Sequence, residues 1–400
     1  MNTARETLDF STRIERITPF GGHYFFGYYD LEAWNADASR HLAVRVPFMD
    51  RLQEPGDEVV VGFFDSTRAS PVAQAPFVEV ATTRAWCFQQ SCMLQWHPGW
   101  PQSAIVFNSV TDTWFTATVL DLATGERATL DQPVATVAPD GRYALSINFP
   151  RMYSFRPGYG YASHADPWDR VPRPTDDGVY RVDLDTGRAD LLISLDEAWR
   201  FAAERHAPPP GEEKVLVNHI TWNPDATRFL FLLRYRRHEG GWVTTVIVAN
   251  ADGEMTRVLV PFGYASHYWW TGPSTVLFHS DGPHGRGQHE FDVETGETRL
   301  VDPEVFTEDT HMRQIPGTSW VVNDTYPGSS PYRNLFLYDR SDRRVVRLGR
   351  FYSPPEITGD IRCDLHPRVS PDGRRVSIDS VHEGFRGIYT IDVGELVAAG

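Results

Sequence analysis

Val369-Ser370-Pro371-Asp372-Gly373, followed by the alternating run Arg375–Asp379, reads as a tight turn entering a half-buried β-strand. Proline presets φ at one turn position and glycine accepts a positive φ at another. Working outward, related signatures stand at Trp34-Asn35-Ala36-Asp37, Val137-Ala138-Pro139-Asp140-Gly141 and Trp222-Asn223-Pro224-Asp225. Weaker copies occur at Trp96-His97-Pro98, Trp270-Thr271-Gly272 and Ile315-Pro316-Gly317. The marker position therefore falls at residues 36, 98, 139, 224, 272, 316 and 371. Most intervals lie near the ~40–50 residues of a four-stranded propeller blade. Seven markers predict an all-β, seven-bladed β-propeller.

The longest interval, between 139 and 224, predicts an insertion over about 150–177 in the third blade, then a short helix over about 195–206. The final blade lacks a strand after Ile388–Val393, whereas Ser11–Ile17 alternates like a strand ahead of the first blade. The N-terminal segment is thus expected to complete the last blade, since ring closure removes sheet edges. No linker interrupts the chain, so residues 1–400 read as a single propeller domain.

Bulk composition narrows the partners. A formal charge of −15 disfavours nucleic acid and anionic membranes, yet leaves room for a local basic pocket. The charged N-terminus is unlike a signal peptide, and no apolar run approaches a membrane span. With three cysteines in no metal-type spacing, these features predict a cytoplasmic protein. Nothing specifies an oligomer.

Five residues before each marker, the last four blades carry His219, His267, His311 and His366, and the first three carry Leu31, Met93 and Val134. Only 14 histidines occur in 400 residues, so four at one repeat position are a pattern. The position begins the innermost strand, where side chains converge on the channel. Clustered neutral imidazoles suit a divalent ion such as manganese, iron, zinc or nickel. Asp364, two residues before His366, is a candidate oxygen ligand. The plainer alternative is a wet channel in which the imidazoles bond water and backbone.

One histidine can remain a base, and His219, opening the blade after the insertion, is the best placed. Arg151 and Arg156 of the insertion, with Arg313 and Arg362 beside the channel histidines, would receive an anionic substrate. Tyr159 is a further catalytic candidate, and Tyr161 and Asp30 are candidate substrate contacts. Against this, Arg151 and Arg156 equally suit the tying down of a long loop, and the tyrosines its packing. No Gly-rich phosphate loop, Gly-x-Ser-x-Gly elbow or His-Glu-x-x-His helix is present.

Residues 215–395 resemble the oligogalacturonate lyase family, metal-dependent propellers with TolB-like blade repeats. The resemblance is carried by Asn218-His219-Ile220-Thr221-Trp222-Asn223-Pro224, by Ala265-Ser266-His267-Tyr268-Trp269-Trp270 and by His366-Pro367-Arg368-Val369-Ser370-Pro371-Asp372-Gly373. It implies that His219 is a base, that an arginine supports a substrate carboxylate, and that His267 and His366 hold a manganese-like ion. The family's ligand run before the final His-Pro has a histidine where this chain has Asp364, and a glutamine that Ile361–Leu365 lacks. His311 is then expected to complete the ligand set. The expected activity is a metal-dependent carbon–oxygen lyase acting on a small anionic, uronate-containing saccharide. Epimerisation or hydrolysis of a sugar acid, a non-haem iron oxygenase, and a non-catalytic binding propeller are the alternatives.

Overall fold

A computed structural model of the chain describes residues 7–65, 76–211 and 214–398. Seven antiparallel blades form the ring. Their innermost strands are His23–Phe25, Gln95–Trp96, Thr136–Val137, Leu216–Trp222, Ala265–Trp270, Met312–Gln314 and Arg368–Val369. Each leads through its Pro/Gly-type turn into a longer, largely buried second strand. Leu230, Leu232, Val276 and Phe278, for example, belong to one apolar layer between blades 4 and 5. Such interblade layers are the core, and they fix where the inner strands converge.

Closure follows the sequence. Ile14–Arg16 is the outermost strand of blade 7, pairing antiparallel with Gly387–Asp392 in the register Ile14↔Ile391, Glu15↔Thr390 and Arg16↔Tyr389. The seam is polar as well as apolar. Asp379 of blade 7 accepts from the backbone N–H of Phe26 and Gly27 and from Arg368, and His41 Nε2 lies 2.8 Å from Ser377 Oγ. One element goes beyond expectation: Thr7–Asp9 runs parallel to Val345–Tyr352, giving blade 6 a fifth strand.

The insertion joins the second and third strands of blade 3, Tyr143–Ser146 and Gly178–Asp183. It opens with a helix, α1 (Phe149–Phe155). Asn148 caps α1 by accepting from Arg151 N, and Pro150 sits in its first turn, where no N–H is needed. The expected helix after blade 3 is α2 (Leu195–Ala203), started by a capping box of Ser194 and Glu197. No helix among the described residues is long and apolar enough to cross a membrane.

Candidate metal centre and anion pocket

The four repeat-position histidines meet. Ring centroids are 5.9 Å apart for His219–His267, 4.1 Å for His267–His311 and 4.2 Å for His311–His366. Local backbone irregularities aim them. In blade 4, Val217 pairs with Leu233 and Ile220 with Phe231, so Asn218 and His219 bulge opposite one residue. Blade 5 repeats the device with Ser266 and His267 between the pairs Ala265↔Ser280 and Tyr268↔Phe278. A bulge turns a side chain away from the sheet's alternation. His366 instead takes a positive φ of 44°, a strained conformation for a non-glycine residue.

Carboxylates orient two of the rings. Asp309 Oδ2 is 2.9 Å from His267 Nδ1, and Asp324 Oδ1 is 2.9 Å from His311 Nδ1. Each pairing engages Nδ1, the usual arrangement behind a histidine that ligates through Nε2; in His311 that Nε2 lies 3.2 Å from the Tyr326 hydroxyl, which an ion would displace. Asp324 also accepts from His366 N. His311, Asp364 and His366 bring potential ligand atoms within 4.8 Å of one another. Burial pushes the pKa of His311 and of His366 well down, so both imidazoles are neutral. Burial opposes ionisation of Asp364, but Arg362 and Arg333 hold its carboxyl well below the usual range. Neutral imidazoles plus an ionised carboxylate form a donor set that fits a divalent ion. Both Asp364 oxygens already face arginines, Arg333 at 2.8 Å and Arg362 at 2.8 Å, so any bond from Asp364 to an ion is shared with them.

Beside this cluster lies a cavity of about 260 Å³, lined in part by His219, His267, Arg156, Arg234, Tyr159 and Arg362. Arg156 and Arg234 each donate to Asn218 Oδ1 at 2.8 Å, which sets two guanidinium groups side by side. Neither forms an ion pair with a carboxylate among the described residues. Arg156 also lies 3.8 Å from the Tyr159 ring centroid, a cation–π contact. Burial, with Arg156 next in weight, pulls Arg234 down to about 10, so it remains charged at neutral pH. Burial likewise drives the pKa of His219 well down, with Arg234 adding to it. A neutral imidazole thus stands beside two guanidinium groups that have no carboxylate in ion-pair contact, Asp309 across the cavity being the acidic group that acts on Arg234.

The structure sorts the remaining candidates. Arg156, Tyr159 and Arg362 line the cavity, and Arg362 donates to the Tyr159 hydroxyl. Arg151 does not reach it. Its Nε bonds Val215 O, one terminal nitrogen bonds Asp166 and Trp168 O, and the other bonds Val171 O and Pro172 O. No N–H is left for a substrate, and Arg151 is the tie of the insertion. Tyr161 is also internal, stacked on Phe149 and bonded by Asn108. Arg313 donates to Tyr29 O, Leu31 O and Glu32 and so braces blade 1. Asp30 lines a second cavity of about 390 Å³ with Trp222 and Trp270, the last residues of the inner strands of blades 4 and 5, and with Pro224 in the turn after the first of them. Arg234, Asp309, Asp324 and Tyr326 were not anticipated. Asp309-Thr310-His311 repeats the Asp-x-His spacing of Asp364-Leu365-His366, and Arg234 interrupts the otherwise apolar run Phe229–Tyr235; both were available signals.

No family model matches the chain, nor does any curated protein. Among solved structures, an oligogalacturonate lyase in complex with manganese aligns with a TM-score of 0.66, covering 98% of this chain and 96% of that one at 16% identity. An oligogalacturonate lyase from Vibrio parahaemolyticus gives 0.65 over 98% and 100%, at 15% identity. The chain has the fold of the oligogalacturonate lyases. The tricorn protease also aligns, at a TM-score of 0.51 and 12% identity over 94% of this chain and 35% of its own. One propeller architecture therefore accompanies different chemistries, and function has to be argued from the site.

Proposed function

We propose that the protein is a metal-dependent lyase that cleaves a uronate-containing saccharide by β-elimination. The observation that carries this reading is the pair Arg156–Arg234, without carboxylate partners, beside neutral His219 and next to the His/Asp donor set. The arginines would take the sugar carboxylate, where charge-assisted hydrogen bonds are strong, and so acidify the adjacent C–H. His219 would remove that proton. Its electron pair would form the C=C bond as the glycosidic C–O bond breaks, and the oxygen would leave with the bonding pair. A docked carboxylate would also offset Arg234 and raise the basicity of His219 when substrate is present. Tyr159, whose hydroxyl receives a hydrogen bond from Arg362, is assigned the proton for the leaving oxygen.

His311, His366 and Asp364, with His267 beside them, would hold the ion; manganese is favoured by the ion named for one structural neighbour. When bound, such an ion supplies further positive charge to a carboxylate in the cavity. The test pairs metal analysis of protein purified without a histidine tag with ultraviolet absorbance on a panel of uronate oligosaccharides. Elimination leaves a double bond conjugated to the carboxylate, so an absorbing product is expected. Bound metal with no unsaturated product from any uronate would defeat the lyase reading and favour epimerisation of the same acidic C–H.

A further inference from the structure

A chain of hydrogen bonds runs from His219 through the channel to the second cavity. His219 Nδ1 lies 2.7 Å from the Tyr28 hydroxyl, and that hydroxyl lies 3.2 Å from the hydroxyl of Tyr268. Tyr268 in turn donates to Asp30 Oδ2 over 3.4 Å, the longest link. His219, Tyr28 and Tyr268 are all at least 95% buried, so solvent does not compete for these bonds. The Tyr28 and His219 rings are parallel, with an interplanar angle of 2°.

An ionised carboxylate only accepts hydrogen bonds, whereas a phenol donates one and also accepts. With Asp30 ionised, Tyr268 spends its proton on Asp30 and accepts from Tyr28. Tyr28 then has no proton left for His219 and must accept from Nδ1–H. We propose that Asp30 acts as a remote positioning residue for His219, holding it through Tyr268 and Tyr28 as the Nδ1–H tautomer with the Nε2 lone pair free. The same logic governs a histidine oriented directly by an aspartate, where the wrong tautomer is costly. Here two phenols extend the reach to the opposite end of the inner strands. Burial, with Glu32 adding to it, pushes Asp30 up to about 7 against Thr221, Arg313 and Tyr268, which favour its anion. The relay is therefore set above neutrality.

This inference rests on reading His219 as the base, but its test does not require turnover. Nitrogen-15 NMR of histidine-labelled full-length protein at pH 8, without paramagnetic metal, reports which ring nitrogen carries the proton. His219→Gln assigns the resonance by its loss. The expected result is Nδ1–H in the wild type and Nε2–H in Tyr28→Phe, which keeps the ring and removes the link. Asp30→Asn, whose amide can also donate, should move the population in the same direction. A wild-type Nε2–H tautomer, or Nδ1–H retained in both variants, would overturn the relay. Where uronate cleavage is observed, Tyr28→Phe should lower kcat by about 10²-fold with little change in KM. Absence of cleavage by the wild type would count against the lyase reading alone, because the tautomer is measured independently.

Discussion

At one repeat position, blades 4 to 7 present His219, His267, His311 and His366, and blades 1 to 3 present Leu31, Met93 and Val134. The three apolar residues are buried. Half of the ring therefore supplies donors while the other half supplies a wall. Blade 1 still contributes through Tyr28 and Tyr29, whose rings lie against the histidines. Blade 3 contributes Arg156 and Tyr159 from its insertion. A pseudo-symmetric scaffold has become polar on one side only at this position, and this places a cluster of ligating groups next to basic ones, the two meeting where Arg333 and Arg362 hold Asp364.

The contrast breaks first at a ligand. His366→Leu should lower metal affinity by more than about 10²-fold, beyond what loss of an outer partner costs, and should remove turnover with it. Metal content after dialysis checks this; full retention would remove His366 from the donor set. His219→Ala should keep the metal and lower kcat by about 10²–10⁴-fold, since only proton transfer is lost. If that variant releases the ion, His219 is a ligand and the base lies elsewhere. Asp309→Asn is a smaller step. It leaves His267 in place but weakens its orientation, so metal affinity should fall by about 10–100-fold, readable by competition with a chelator.

The pH dependence of stability probes the far end of the channel. Burial raises Asp30 from its ordinary value to about 7 in the folded chain. Between these values the folded state binds a proton that the unfolded state does not. Stability contributed by Asp30 is thus complete at low pH, falls as pH rises toward 7, and is lost above it. Asp30→Asn removes this dependence. Its melting temperature relative to wild type should be more favourable at pH 8 than at pH 4, and an equal difference at both would refute the buried-carboxylate account.

Fold and histidine cluster were legible because both are repetitive. Turn chemistry recurs with each blade, and a residue five positions before a turn is carried to the same place in every blade. The insertion is not repetitive, and its two arginines show the consequence. Arg151 and Arg156 are five residues apart in similar surroundings, yet one is consumed by five acceptors inside the loop and the other faces the cavity. Helix α1 and its Asn148 cap decide which, through contacts to residues 166–172 and 215 that spacing does not encode. Asp364 was legible as a neighbour of the histidines, but its arginine partners were not, because Arg333 comes from a strand of the preceding blade.

The smallest expected effect sharpens the contrast most. Met93 occupies the repeat position of His366 and shares its unusual backbone, with φ of 51° against 44°. Both residues are buried, at 3% and 5% exposure. The same substitution can therefore be made at both places with a similar positive φ. Met93→Leu exchanges one unbranched apolar side chain for a branched one of similar volume, a change that ordinarily costs less than about 1.5 kcal/mol. It should leave metal content, KM and kcat unchanged, with a small shift in the denaturation midpoint as the only signature. His366→Leu meets the same backbone and comparable burial, so any excess loss there belongs to the imidazole. If Met93→Leu also lowers metal content, the wall is not passive, and the division between the two halves of the ring fails.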